Sequence, residues 1–259
     1  MLRPFFFGTE ERPLLGICRM AGQPRNHGVV LCYPHAHEYI RCHRAFREIA
    51  RRLVRAGYHV LTFDYYGCGD SGGKYEDGRI SGWCHDISSA VDVIKKECHI
   101  DRVCLLGLRL GASLATMTAA ERDDIHAMVL WDPVVRGKDL VEEMLCLPST
   151  FPRGKNPPYR YDEDKFDVIG YPLTLEMIKD LERLDLLNLN CLSGNKVLIV
   201  ETGEETDSGN LRKFSGEKDD SINFRHIPEA SIWLKEPYEA IVPQKTLQSI
   251  VAWISEVCT

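Results

Sequence analysis

No apolar run in this 259-residue chain approaches the roughly 18 residues that mark a membrane-spanning helix, so no membrane span is expected. A basic surplus is missing as well. Thirty-two Lys and Arg stand against 38 Asp and Glu, a net charge of −6, which argues against nucleic acid as a partner. The ten cysteines contain no Cys-x-x-Cys pair. The residues from Met1 to Pro13 carry three adjacent phenylalanines before charges return, without the longer apolar core and small-residue cleavage site of a secretory signal. A cytoplasmic location is the expectation, and the cysteines then read as small buried apolar residues rather than as a disulfide framework. Internal repeats and low-complexity tracts are also lacking. What is present is ordinary for a soluble globular protein: 44% hydrophobic and 27% charged residues. The chain is long enough to bury a core without staples.

Short apolar runs alternate with helical periodicity along most of the chain. Phe5–Phe7 and Leu14–Arg19 predict an antiparallel hairpin. Gly28–Tyr33, His59–Asp64, Arg102–Leu106 and Ala127–Asp132 read as strands buried on both faces. Between them the spacing predicts helices over His43–Ala56, Ile80–Cys98 and Leu110–Arg122. This rhythm implies a mostly parallel sheet with right-handed crossovers. Residues 137–190 break it. They hold two helix-like pieces, Lys138–Leu145 and Leu173–Leu187, around a breaker-rich stretch from Pro148 to Pro158. Strands at Asn195–Glu201 and Ile222–Ile227 and a helix from Lys245 to Val257 complete the pattern.

Two motifs sit at strand ends. One is the glycine-rich turn Asp64-Tyr-Tyr-Gly-Cys-Gly-Asp-Ser71. The other is Gly107-Leu-Arg-Leu-Gly-Ala112, which joins a buried strand to a helix. The element order and both motifs resemble the α/β-hydrolase superfamily, in its serine-aminopeptidase-like and esterase-like branch. The resemblance implies an α/β-hydrolase fold, with an eight-stranded, mostly parallel sheet and helices on both faces. Residues 1–136 and 191–259 would form the core and 137–190 a lid. It also implies a Gly-x-Ser-x-Gly nucleophile elbow at residues 107–111. The central residue there is Arg109, and no Gly-x-Ser-x-Gly occurs elsewhere. A guanidinium stays protonated and cannot attack a carbonyl. The family's histidine base belongs after the eighth strand, yet Pro228–Pro237 contains no histidine, and His226 falls inside the preceding strand. Acids are plentiful after the seventh strand, from Glu201 to Asp207, and none is singled out. Asp132, after the sixth strand, is expected to cap the turn into Pro133.

The stretch from Tyr33 to Arg44 is similar to a Pro-Phe-Ala-Glu-Glu-Met-Asn-x-x-Arg segment in hydrolase-like proteins that accompany exosortase systems of exopolysaccharide-producing bacteria. Those proteins share the Gly-Leu-Arg-Leu-Gly-Ala elbow and a Trp followed shortly by Pro, as at Trp233 and Pro237. Under this likeness Glu38, Arg44 and Arg109 fall on motif positions, while His35 and His37 depart from it.

An arginine at the elbow has two uses. With the N–H groups that open the next helix, starting at Leu110, it would grip a carboxylate or phosphate. Alternatively it pairs internally with Glu38 and plugs the site, which a buried cation favours. The candidate ligand-binding set is therefore Arg109, Leu110, His35, His37, Glu38, Arg44 and Asp132. His35 and His37 read as polar groups lining the pocket. With His43 they lack the carboxylate spacing of a metal site, so no metal or cofactor is expected. A cysteine nucleophile at Cys68 or Cys104 is a minor reading. Lid aromatics Phe151, Tyr159, Tyr161 and Phe166 would line an apolar site or simply pack the lid. Two function classes follow: a hydrolase-like accessory protein that binds a small anionic or acyl-type ligand or a protein partner, or an unorthodox hydrolase or acyltransferase that uses water or a non-serine residue.

Overall fold

The computed structural model describes residues 2–147, 159–162, 164–188, 196–204, 209–215, 221–234, 239 and 241–258. The eight strands of the main sheet are β1 (Leu2–Gly8), β2 (Pro13–Arg19), β3 (His27–Cys32), β4 (His59–Phe63), β5 (Arg102–Leu108), β6 (Ile125–Trp131), β10 (Lys196–Thr202) and β11 (Ile222–Ile227). Their spatial order is β1-β2-β4-β3-β5-β6-β10-β11. Only the β1–β2 and β2–β4 pairings are antiparallel. All other neighbours run parallel, as the continuous apolar runs require. This is the α/β-hydrolase topology expected.

Four helices cover the sheet: α1 (His37–Arg55), α2 (Ile80–Cys98), α3 (Leu110–Ala120) and α7 (Gln244–Val257). In α1 the buried residues Cys42, Ala45, Phe46, Ile49, Ala50 and Leu53 recur every three or four positions, and arginines face outward. The helix starts six residues earlier than its apolar stripe suggests, so His37 and Glu38 stand in its first turn rather than in a loop. Helix α3 shows no polar face because it is buried almost throughout. Helix α2 ends where His99 turns left-handed, at φ 53°.

Between β6 and β10 the chain leaves the sheet. It forms α4 (Gly137–Leu145), then a three-stranded antiparallel sheet of β7 (Tyr159–Asp162), β8 (Lys165–Val168) and β9 (Tyr171–Thr174), then α5 (Leu175–Glu182). The small sheet corrects the expectation of two helices alone. The helix expected over Leu173–Leu187 begins at Leu175, where Thr174 caps it by accepting from the Met177 N–H at 3.1 Å. Strands this short carry too few residues for period-two alternation to register. A further short helix, α6 (Gly209–Ser215), precedes β11 and is an addition to the expected elements. The Pro148–Pro158 stretch, Phe151, Cys191, Glu205–Asp207, Pro237 and the side chains of Tyr159 and Tyr161 lie outside the described residues. Among the described residues, no helix is long and apolar enough to cross a membrane.

The glycine-rich turn after β4 folds around one carboxylate. Asp64 accepts from the Tyr39 hydroxyl at 2.9 Å and from the Asp70 N–H at 3.1 Å. Ser71 donates to the Asp64 carbonyl at 2.6 Å and accepts from the Leu15 N–H. Gly69 has φ 54°, and a side chain there would meet the Asp64 carboxylate at 2.2 Å. The motif thus fixes the loop beside the C-terminal strand edge.

Candidate functional site

Strand β5 lies at the centre of the sheet and ends at Leu108, and α3 begins at Leu110. Arg109 alone makes the turn, at φ 53° and ψ −125°, a region that costs a side-chain-bearing residue about 1–3 kcal/mol. Its N–H donates to the Trp131 carbonyl at 3.0 Å, and its own carbonyl accepts from the Ala112 N–H at 3.0 Å. The flanking glycines are needed for contact. A Cβ on Gly107 would sit 2.5 Å from the Ala112 backbone, and one on Gly111 would sit 2.3 Å from the Cys32 and Tyr33 carbonyl oxygens. The sharp elbow read from the glycine spacing is present, with a guanidinium at its tip.

That guanidinium is paired. Arg109 Nε donates to Glu38 Oε1 at 3.0 Å, and the two side chains are only 11% and 5% exposed. Arg109 Nη2 also donates to Glu143 on α4, whose side chain is 55% exposed. Trp233 covers the group from the far side, with the guanidinium carbon 5.1 Å from its ring centroid. Burial works against the charge of Arg109, but the two carboxylates outweigh it and hold its pKa above the ordinary arginine value. Burial pushes the Glu38 carboxyl up while Arg109 pulls the other way. Glu38 Oε2 has no hydrogen-bond partner. Glu143 and Trp233 could not be placed here from sequence, because one comes from the excursion and the other from the loop after β11.

The other predicted site residues separate into different places. Leu110 is fully buried and its side chain does not line the cleft. Ala36 turns sharply at φ 52° and ψ −132°, and this sends His35 and Glu38 in different directions. His35 is buried against Tyr75 and Trp83, with ring centroids 5.2 and 4.6 Å away. It lines a separate cavity of about 290 Å³ with Tyr39, Asp64 and Tyr171. Its Nδ1 lies 3.3 Å from the Tyr75 hydroxyl, and burial drops its pKa to about 3. His37 feels Arg41 and Arg109, and burial with those charges lowers its pKa to about 4. Arg44 is exposed and lies apart from the elbow. It lines a wide cleft of about 1310 Å³ beside α1, with Arg19, Arg47, Arg51 and Arg55. Six residues along a helix from Glu38 amount to about 600°, which turns Arg44 well away from Glu38's face.

Asp132 does more than cap a local turn. It stands at φ 43° after β6 and reaches across to β10. It accepts from the Thr202 N–H at 2.8 Å and the Thr202 hydroxyl at 2.7 Å. Burial lifts its pKa to about 7 against the pull of these bonds. Arg109, Asp132, Glu143, Glu201, Thr202 and Trp233 all border one cleft of about 380 Å³. Arg136 and Asp139 line it too, so four carboxylates face two guanidiniums, with Glu38 behind them. His226 stays within its strand and meets the Gly203 carbonyl at 3.2 Å. The two minor cysteine readings find no support in burial. Cys104 is fully buried, and burial pushes the Cys68 thiol up to about 12.

The profile of the serine aminopeptidase family, S33, matches residues 25–155. The lysophosphatidylserine lipase ABHD12 of Mus musculus is 35% identical over 91 residues, which are 35% of this chain and 22% of that protein. Its Rattus norvegicus counterpart matches to the same extent. The chain thus spans about a fifth of the length of these relatives. Among solved structures, an esterase of Pyrococcus furiosus superposes with a TM-score of 0.69 at 14% identity, covering 100% of this chain and 92% of its own. Est1E of Butyrivibrio proteoclasticus, with ferulic acid bound, gives 0.68 at 16% and 98% of both chains. A hydrolase-like structure from Agrobacterium vitis gives 0.66 at 18%, again with 98% of both.

Proposed function

Because this chain belongs to the serine aminopeptidase family S33, and so to the α/β-hydrolases, we propose that it is an accessory protein of that fold, which acts by binding and not by acyl transfer. One observation carries the reading: the buried Arg109–Glu38 pair fills the elbow where a serine hydrolase mounts its hydroxyl. The pair opposes the family chemistry twice. A guanidinium offers no nucleophile. A carboxylate beside the elbow opposes the negative oxygen that acyl transfer must stabilise.

The pair also favours internal pairing over ligand binding as the use of the arginine. Arg109 is already matched by Glu38 and Glu143, in a cleft lined by more acids than bases. A free carboxylate or phosphate would have to displace Glu143. The elbow is therefore a plugged site. The anionic ligand or acidic protein partner meets the arginine cleft that includes Arg44 and Arg47. The described part of the excursion touches the elbow through Glu143 on α4, which supports reading 137–190 as a lid. The Gly107–Ala112 motif and the Tyr33–Arg44 stretch support a place among the exosortase-associated hydrolase-like proteins. A cytoplasmic setting suits nine described cysteines that are all free thiols.

The test is direct. The purified protein is treated with a fluorophosphonate probe and assayed against short esters, a ferulate ester and a lysophospholipid. We expect neither labelling nor turnover. Serine labelling, or turnover that survives purification to homogeneity, overturns the reading. Thermal shift with phosphate and acidic peptides should raise the melting temperature of the native protein. The Arg44→Ala/Arg47→Ala variant should lose that rise.

One observation favours a second reading. Asp132 has a pKa near 7 inside the cleft, a value suited to a general base that activates water. That reading requires ester turnover with a pH profile centred near 7, abolished in Asp132→Asn.

A further inference from the structure

The edge of the sheet opposite the elbow carries a second cluster. His27 is the first residue of β3, His126 the second of β6, and Cys258 the residue that closes α7. One side-chain atom from each lies within 4.8 Å of the others. The His27 and His126 rings are 5.1 Å apart. His27 is 97% buried by its 3% exposure, yet both of its ring nitrogens lack a hydrogen-bond partner. A buried imidazole with neither nitrogen satisfied is costly, and packing alone gives no reason to keep one at a strand start.

We propose that His27, His126 and Cys258 bind a divalent transition-metal ion of the zinc class, with the fourth position open to water. The donor set of two imidazoles and a thiolate is the borderline-soft mixture that zinc prefers over magnesium or calcium. The supports of such a site are in place. His126 Nε2 lies 3.1 Å from the Val257 carbonyl, the kind of backbone contact that orients a ligating imidazole and leaves its other nitrogen for the metal. Cys258 is held by its own N–H to the Ile254 carbonyl at 2.9 Å, and its carbonyl accepts from the Tyr58 hydroxyl at 3.1 Å. Cys104 and Cys258 are electrostatic neighbours, and the Cys104 thiol itself points at the Leu105 carbonyl at 3.7 Å.

The fit needs a small adjustment. Donor atoms around a tetrahedral zinc are about 3.3–3.6 Å apart for the usual bond lengths. With every donor pair inside 4.8 Å, the cluster needs to tighten by no more than about 1.5 Å, which side-chain rotation supplies. Arg25, Arg102 and Lys196 surround the cluster. They oppose a bare cation but favour the Cys258 thiolate. On binding, the Cys258 Sγ–H bond breaks, its electron pair forms the metal–sulfur bond, and the proton leaves to solvent. The ion would tie the end of α7 to the starts of β3 and β6, some distance from the chemistry of the elbow. The inference does not depend on the function proposed above.

The test uses the full chain, stripped with a chelator and then titrated with Co²⁺ and with Zn²⁺ by competition. We expect one equivalent of cobalt, a thiolate-to-cobalt charge-transfer band in the near ultraviolet, and the strong visible bands of a tetrahedral ion. Cys258→Ser should lose the charge-transfer band. His126→Gln, at a half-buried position chosen to keep the fold, should weaken cobalt binding at least about tenfold, the lower end of what losing even a supporting partner costs. Circular dichroism of each variant establishes that it is folded. Two results overturn the proposal: a native protein that takes up no stoichiometric cobalt, or a folded Cys258→Ser or His126→Gln variant whose spectrum and affinity match the native protein.

Discussion

At the scale of single residues, charge inside the protein is the dominant theme. Arg109 and Glu38 hold each other in a dry setting, so removing one partner strands the other. We expect Arg109→Met to destabilise the protein by about 3–5 kcal/mol in urea unfolding, and Arg109→Met combined with Glu38→Leu to recover most of that loss. A double variant no more stable than the single one would show that the pair contributes little. Titration adds a second pair of outcomes with opposite signs. His35 has a folded pKa near 3, below its unfolded value of about 6.5, so its contribution is lost as pH falls from 6.5 toward 3. Asp132 has a folded pKa near 7, above its unfolded value of about 4, so its contribution is lost as pH rises from 4 to 7. His35→Phe should therefore gain about 2 kcal/mol on the native protein when unfolding at pH 5 is compared with pH 7.5. Asp132→Asn should remove part of the decline between pH 4 and 7.

At the scale of elements, the junctions matter more than the interiors. The elbow requires backbone to approach backbone at Gly111, where a methyl group would stand 2.3 Å from two carbonyl oxygens of the β3 end. Gly111→Ala should cost more than about 3 kcal/mol or prevent soluble expression, because neither strand nor helix can shift freely. Gly22→Ala serves as the control, since nothing lies within 4 Å of its added Cβ. The α5 cap is smaller in scale: Thr174→Ala should lower stability by about 1 kcal/mol. Element types were readable where periodicity was long, as in Ile80–Cys98, which matches the observed α2. The start of α1 is not legible in the sequence, because His37-Glu-Tyr-Ile40 shows no apolar stripe. Those residues are held in the first turn by tertiary contacts, including the Glu38–Arg109 pair and the Tyr39–Asp64 bond.

At the scale of the whole molecule, Asp86 links three parts of the chain. It is fully buried on α2, accepts from Arg12 Nε and Nη2 at 2.8 and 3.1 Å, and accepts from the Tyr66 N–H at 2.9 Å. The hairpin of β1 and β2, the glycine-rich turn and α2 are thus joined through one carboxylate. Asp86→Ala should destabilise the fold by about 3–5 kcal/mol, through the stranded Arg12 and the lost bond to the turn. Guanidinium denaturation with matched slopes would measure it. A loss under 1 kcal/mol would mean that solvent replaces the carboxylate cheaply. The two ends of the sheet also divide the molecule. The C-terminal edge carries the elbow, Asp132 and Trp233, and the opposite edge carries His27, His126 and Cys258.

The sequence determined the strand–helix alternation, the sharp turn at Arg109 and the identity of its central side chain, because each rests on local spacing or on the chemistry of one residue. It also made Glu38 a candidate partner for that arginine. Tertiary structure alone decided that Glu143 and Trp233 close the same group, that Asp132 bonds to Thr202 seventy residues away, and that His35 and Arg44 face other cavities. Those choices depend on where distant strand ends converge and how far a helix has rotated between residues. Neither quantity is carried by any short stretch of chain.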